Sequence, residues 1–489
     1  MKTTPPSRLG LLSIASLASL LLPAFPASRA ADADKSAESP KDGISGIWIG
    51  TLRAGAEELP VEFTIEPTGG GQFKGVLRSP KQTPEPMPIT LVSFRDRDLK
   101  LVVDIVKGVY EGKVAANGKS IRGKWTQGGF TLALDLDYTP GGFAPNRPQT
   151  PKPPFPYAAE EVAFDNPLGK NRLAGTLTLP KNPLRPVPAV VLVTGSGPQD
   201  RDETIMGHKP FAVLADALTR KGIAVLRYDD RGVGKSTGSF EYGTTLDFAT
   251  DAAAAVAFLK TRKEIDPARV GLIGHSEGGL VAPIVNAKRP GQAAFLVLLA
   301  APGQRGDLIL LQQNEALLKT AGATPAFVAV VREFNRAVYD LLTQPNPDID
   351  KVRKLAADFE TSAKKLTPEE GEKLSRIGST IEDQMKALQT PWFANFLTLD
   401  PGEFLRQTKI PVLALNGERD LQVLADPNLA AIAQHLKAAE NAKFDTRKLP
   451  DLNHLFQKAE TGLPDEYWKI EETMDPAVPK AIAEWILSL

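Results

Sequence analysis

Residues 274–279, Gly274-His275-Ser276-Glu277-Gly278-Gly279, follow directly on an apolar run at 270–273 and precede a helical segment at 280–287. A serine held between glycines where a buried strand turns into a helix is placed for nucleophilic attack. Gly274 and Gly278 leave room for a turn too tight for side chains, and the turn lifts the Ser276 hydroxyl to the positive end of the following helix. A hydroxyl is a weak nucleophile without a base, and the base needs an acid to orient it. The chain has no cysteine, so a thiol nucleophile, disulfides, thiolate zinc sites and iron–sulfur clusters are all excluded.

Only four histidines can supply the base: His208, His275, His435 and His454. Behind a serine turn of this kind the acid and then the histidine are expected in chain order, each just past a strand end. The apolar run 411–415 leads into Asn416-Gly417-Glu418-Arg419-Asp420, and the next expected strand, about 444–449, leads into Pro450-Asp451-Leu452-Asn453-His454. This order selects His454 as base and Asp420 as its partner, ahead of Asp426 and Asp451, neither of which directly follows a strand. His435 falls in an amphipathic helix, which suits packing or surface. His275 belongs to the serine turn and is read as buttressing it. His208 follows the first core strand and is a candidate for lining a substrate pocket.

The oxyanion formed on an attacked carbonyl needs two fixed backbone donors. The N–H of Glu277 is one. The second is expected from Thr194-Gly195-Ser196-Gly197-Pro198-Gln199, where Pro198 has no N–H; Ser196 is favoured and Gly197 is the alternative. Two glycine patterns mimic nucleotide sites and fail. Gly195-x-Gly197-x-x-Asp200 lacks a third glycine and carries acids that would repel a pyrophosphate. Gly232-Val233-Gly234-Lys235-Ser236 has Asp229 where a phosphate loop needs its first glycine. The chemistry read here calls for no cofactor and no metal.

These residues need a frame. Continuous apolar runs at 189–193, 223–226, 270–273, 295–300 and 412–415 alternate with helical segments such as 211–221 and 247–262. That pattern predicts an α/β fold with a parallel sheet covered on both faces, spanning 157–489. Residues 303–407 break the rhythm with four helical segments, 307–320, 326–342, 348–365 and 368–388, and read as a helical cap inserted between two strands. Its Trp392, Phe393 and Phe396 either line an acyl pocket or pack the cap onto the core.

Ahead of this lies a different style. From 43 to 139, period-two runs such as Val61-Phe63-Ile65 and Leu99-Leu101-Val103, separated by glycine-rich turns, predict a small antiparallel barrel or sandwich. Trp48 and Trp125 there are read as barrel filling, with grip on a polymer as the alternative. Residues 140–156 hold seven prolines and read as a stiff linker, and 31–42 as a flexible leader. Lys2 and Arg8, a short apolar run at 9–22 and Ser28-Arg29-Ala30 fit a secretory signal peptide cut after Ala30. That run is short for a membrane span, so no membrane insertion is expected after cleavage, and the product would be periplasmic or extracellular.

The whole chain has 489 residues with 58 basic and 58 acidic side chains; loss of Lys2, Arg8 and Arg29 with the leader leaves a small acidic excess. Such a balance argues against a nucleic-acid partner.

The motifs GSGPQDRDE (195–203), DDRGVGKS (229–236), GHSEGG (274–279), LNGERDLQV (415–423) and DLNHLF (451–456) together resemble the α/β-hydrolase superfamily, and within it the bacterial EstD-like esterases. The resemblance covers about two-thirds of the chain, residues 157–489. It implies the triad Ser276, Asp420 and His454, and hydrolysis of small-molecule carboxylic esters, usually with short acyl chains. The chain departs from the pattern at Thr194, where many relatives carry histidine; backbone donation by the loop does not need that side chain. The Asp229–Arg231 segment is read as folding its loop rather than touching substrate. A serine aminopeptidase or acyl-peptide hydrolase, with Glu277 or a cap carboxylate holding the substrate amine, is the alternative enzyme. A catalytically silent binding protein on the same fold is the alternative outside enzymes.

Overall fold

The computed structural model describes residues 40, 43–54, 57–79, 83–140, 142, 146–344, 346, 348–363, 390–464 and 466–489. The chain divides into two compact units, with a boundary between Asn146 and Arg147.

The first unit is a ten-stranded antiparallel sheet curled nearly into a barrel: β1 (Gly46–Ala54), β2 (Glu57–Gly69), β3 (Gln72–Ser79), β4 (Thr83–Ile89), β5 (Leu91–Arg95), β6 (Asp98–Val103), β7 (Gly108–Val114), β8 (Ser120–Gln127), β9 (Phe130–Ala133) and β10 (Leu136–Tyr138). Strand order is β4-β3-β2-β1-β10-β8-β7-β6-β5, with β9 paired to β8. The alternation seen in the sequence becomes an inside and an outside. In β6, Leu99, Leu101 and Val103 are buried while Asp98 and Lys100 are exposed. Trp48 and Trp125 fill the interior, and the Trp48 indole N–H donates to the Ile44 carbonyl at 2.7 Å. The polymer-gripping alternative for these two rings is therefore set aside.

The second unit carries an eight-stranded sheet built from β11 (Ala158–Asn166), β12 (Asn171–Leu179), β13 (Val187–Val193), β14 (Ala224–Tyr228), β15 (Ile265–His275), β16 (Leu296–Leu299), β17 (Val412–Gly417) and β18 (Phe444–Leu449). Its order is β11-β12-β14-β13-β15-β16-β17-β18. From β14 through β18 the pairings are parallel, and β11 and β12 add an antiparallel edge. All seven residues of β13 are buried, because apolar side chains meet helices on both faces. Helices α1 (Pro210–Arg220), α2 (Thr245–Lys260) and α3 (Gly278–Lys288) fill the crossovers, and α2 opens on a Thr244/Asp247 capping box.

The insertion leaves after β16 and returns to β17, which lies beside it in unbroken register from Leu296/Val412 to Leu299/Leu415. It contains α4 (Gly306–Thr320), α5 (Pro325–Leu342), α6 (Ile349–Ala363), α7 (Pro391–Thr398) and α8 (Gly402–Leu405). The segment expected as a fourth helix, 368–388, lies outside the described residues. After β17 come α9 (Ala425–Ala438) and, following β18, α10 (Ala477–Ser488).

The loops around β14 form an ionic scaffold. Arg201 grips Asp229 through Nε and Nη2 at 2.9 and 2.8 Å, and Arg231 Nε lies 2.7 Å from Asp251. The Asp229–Arg231 segment thus ties its loop to the loop after β13 and to α2, a structural role as its sequence suggested.

Residues 147–156 differ from a free linker. They have no helix or strand, yet Arg147 is buried and donates to the Met206 carbonyl at 2.9 Å, and Gln149 is bonded to the backbone of Thr473 and Met474. Proline removes backbone donors, so side chains do the anchoring. The signal-peptide and leader readings fall on residues 1–42, of which only Pro40 is described. Among the described residues no helix is long and apolar enough to cross a membrane.

Candidate active site

Ser276 stands between the last residue of β15 and the start of α3 with a left-handed φ of +53°. A non-glycine residue takes that conformation only where its surroundings impose it. Here the Ser276 N–H donates to the Leu299 carbonyl at 2.8 Å, and the flanking glycines let the turn close. A Cβ on Gly278 would lie 2.6 Å from the Thr194 carbonyl oxygen and closer still to that of Val193, so α3 begins pressed against the end of β13. The loop after β13 also reaches the serine: a Cβ on Gly195 would sit 3.2 Å from the Ser276 Cβ.

Asp420 and His454 meet on the loops after β17 and β18. His454 Nδ1 donates to Asp420 Oδ2 at 2.8 Å, with both side chains buried. The other carboxylate oxygen, Oδ1, accepts the N–H groups of Gln422 and Val423 at 2.8 and 2.9 Å, so the acid is fixed before it orients the ring. The rival acids point elsewhere: Asp451 pairs with Arg419 at 2.5 Å and Asp426 with Lys448 at 2.8 Å, both exposed. His454 also meets the residue that precedes the serine. Its ring lies 4.8 Å from that of His275, whose Nε2–H donates to the His454 carbonyl at 3.0 Å.

The expected oxyanion donors have the right kind of freedom. Among the described residues the N–H groups of Ser196 and Glu277 have no protein acceptor, whereas the Gly195 N–H donates to Glu203 Oε1 at 2.8 Å. The Glu277 side chain turns away from solvent, and its Oε1 accepts Thr245 Oγ1–H at 2.6 Å and the Trp392 indole N–H at 2.8 Å. Burial pushes this carboxyl above its ordinary value, against the opposing pull of those donors and the Ser196 hydroxyl.

The pocket expectations divide. Trp392, at the start of α7, reaches the serine turn through Glu277. Phe393 and Phe396 are 3% and 2% exposed and pack the insertion onto the core, Phe396 stacking on Trp392 at 5.3 Å. His208 is corrected from pocket lining to a core residue. It is fully buried, with Nδ1 3.0 Å from Thr473 Oγ1 and Nε2 accepting the Gln457 amide at 3.0 Å. Both ring nitrogens are thus used internally. His435 sits in α9 beside Arg406, away from this chemistry.

One residue went unread in the sequence. Glu203 closes the GSGPQDRDE segment, and its Oε1 lies 2.9 Å from His275 Nδ1. An acid ending the loop expected to supply an oxyanion donor is the available signal.

The family model described as serine aminopeptidase, S33, matches residues 208–444. The chain is 30% identical over 335 residues to esterase EstD of Thermotoga maritima, covering 68% of this chain and 69% of that protein. Among solved structures it is similar to the proline iminopeptidase of Mycobacterium smegmatis, at 17% identity and a TM-score of 0.41 over 67% of this chain and 98% of that one. It is also similar to Est1E of Butyrivibrio proteoclasticus with bound ferulic acid, at 17% identity and a TM-score of 0.38 over 67% and 98% of the two chains. The parallel sheet, the strand-to-helix turn at Ser276 and the extent of the match to EstD lead to one conclusion: the chain belongs to the α/β-hydrolase family that includes esterase EstD.

Proposed function

We propose that this protein is a serine carboxylesterase that cleaves short-chain carboxylic esters and is exported with residues 1–30 removed. The observation that carries the reading is the His454–Asp420 hydrogen bond of 2.8 Å, fixed against a serine turn with positive φ. His454 Nε2 takes the Ser276 proton as Oγ attacks the ester carbonyl carbon, and the carbonyl π pair moves onto oxygen. The N–H groups of Ser196 and Glu277 hold that oxyanion. Collapse expels the alkoxide, which leaves as the alcohol with the proton from His454, and the acyl group remains on Oγ. Water, deprotonated by the same histidine, attacks the acyl-enzyme; the acid leaves and Oγ regains its proton. Asp420 keeps His454 in the Nδ1–H tautomer throughout. The similarity to esterase EstD supports the ester class, and the shortness of the acyl chain rests on family resemblance alone.

Ser276→Ala tests this. Hydrolysis of p-nitrophenyl acetate and butyrate should fall by about 10⁴-fold or more. Activity within tenfold of wild type would refute the serine mechanism. The match to a serine aminopeptidase model favours amides as a second reading. Glu277 makes a poor ammonium anchor, since burial disfavours its charged form and Oε1 already holds two donors. Aminoacyl-naphthylamides cleaved faster than esters graded by acyl length would overturn the esterase assignment. Failure of wild-type protein to react with a fluorophosphonate would point to a silent fold.

A further inference from the structure

Behind the three residues assigned to catalysis lies a second histidine–carboxylate pair. His275 and Glu203 are 6% and 4% exposed and come from different elements, the end of β15 at the serine turn and the loop after β13. Their hydrogen bonds form one chain through four groups. The His454 carbonyl accepts His275 Nε2–H at 3.0 Å; His275 Nδ1 faces Glu203 Oε1 at 2.9 Å; that same oxygen accepts the Gly195 N–H at 2.8 Å. The chain starts at the main chain of the proposed base, passes through the residue before the proposed nucleophile, and ends one residue before the proposed oxyanion donor Ser196.

The chemistry of the acceptors sets the protons. A carbonyl and a carboxylate both accept, so the ring serves them best with protons on both nitrogens. Burial alone would push His275 down, but the Glu203 charge and the acceptors outweigh it and hold the ring above its ordinary value. Glu203 itself takes a left-handed φ of +53°. Its N–H donates to the Asp200 carbonyl at 2.9 Å, which pins that conformation and aims the carboxylate inward.

Asp420 fixes the tilt of the His454 ring but not the position of the backbone that carries it. That backbone lies on a loop, and a reacting constellation must hold to within about 0.5 Å. We propose that His275 and Glu203 are a positioning pair for ester hydrolysis, locking the main chain of His454 and of Gly195 to the turn that presents Ser276. The proposal rests on the serine mechanism above. It adds that the distance between base, nucleophile and oxyanion loop is set by a buried ionic hydrogen-bond chain that touches no substrate. A pair that merely stabilised the fold would change the amount of folded protein and leave each folded molecule as active as before.

The test uses the full chain, with p-nitrophenyl butyrate kinetics per mole of folded protein, thermal unfolding, and the rate of labelling by a fluorophosphonate. In His275→Ala and Glu203→Ala, kcat should fall about 10²-fold with KM within about threefold of wild type, and labelling should slow in parallel. His275→Gln keeps an N–H for the His454 carbonyl and should recover at least about tenfold of the loss. Glu203→Asp, the mildest change, shortens the carboxylate by one methylene so that it cannot reach both donors. It should lose about tenfold in kcat with KM unchanged even if the alanine variants do not fold. Wild-type kcat per folded molecule in Glu203→Asp or His275→Ala, or a glutamine variant no better than alanine, would overturn the positioning role. If wild-type protein failed to label, or Ser276→Ala stayed active, the serine mechanism itself would fall, and the positioning role with it. A wild type that labels while the variants keep full kcat would overturn the positioning role alone.

Discussion

Replacing Gly278 by alanine isolates the geometry on which the site depends, because it removes no reacting group. The added Cβ would stand 2.6 Å from the Thr194 carbonyl oxygen and closer still to that of Val193, where ordinary contact begins at 3.4 Å, so serine turn and β13 must part by more than about 0.8 Å. The obstructing atoms are main chain on both sides, and neither can swing away as a flexible side chain would. Overpacking of this kind costs about 1–3 kcal/mol. The functional effect should be larger in proportion, because the displaced backbone is that of Val193 and Thr194, which leads into the loop carrying Ser196. Opening that gap separates the Ser196 N–H from the Glu277 N–H, and a shift of about 1 Å in a reacting constellation lowers rate by about 10²-fold. Gly278→Ala should therefore fold, melt a few degrees lower, and lose about 10²-fold in kcat/KM for p-nitrophenyl butyrate, mostly in kcat. Wild-type kcat/KM in a folded Gly278→Ala protein would refute the claim that the contact between α3 and β13 sets the oxyanion donors.

Asp420→Asn should retain the fold and lose about 10⁴-fold in kcat, since the amide disfavours the Nδ1–H tautomer of His454; a loss under tenfold would point to another acid. Glu277→Gln tests the buried carboxyl through stability. Burial raises its folded-state pKa above the ordinary carboxyl value, so its contribution is complete at lower pH and is lost as pH rises through the folded value. The glutamine lacks that loss, and the melting temperature of variant minus wild type should grow between about pH 4 and pH 8; a flat or falling difference contradicts the assignment. Arg231→Met leaves Asp251 buried with, among the described residues, the Asn166 and Asn171 amides as its side-chain donors, at 2.7 and 3.0 Å. It should destabilise the second unit by about 3 kcal/mol in denaturant unfolding; a change under about 1 kcal/mol would mean that Asp251 finds other compensation.

What could be read in advance was whatever local chain geometry demands. The serine turn announces itself because Gly274 and Gly278 are sterically required within five residues, and Asp420 and His454 because each follows a strand in the expected chain order, although only β17 is buried and β18 is a partly exposed edge strand. Parallel strands covered on both faces are continuous apolar runs, and β13 and β17 were accordingly plain. The β11–β12 hairpin was not read, because β11 lies on the sheet edge and its exposed face carries Glu161 and Asp165. Glu203 looked like one more acid in a polar loop; its partner His275 is 72 residues away and only folding joins them. His208 misled for the opposite reason. A histidine near the sheet's carboxyl edge suggests a pocket, and nothing local reveals that Gln457 and Thr473 will consume both nitrogens.

The insertion between β16 and β17 has a consequence for how such a chain can diversify. Because these strands are immediate neighbours in one register, the 112 residues between Leu299 and Val412 depart and return at adjacent points of the sheet without altering a single backbone pairing. Closing a loop of that size adds only a logarithmic entropy penalty over a shorter one. The sheet, the serine turn and the loops bearing Asp420 and His454 can stay constant while the material between these strands is lengthened, trimmed or exchanged. The segment can then be exchanged by recombination at two neighbouring points, with Trp392 as the indole that a replacement must re-supply to Glu277.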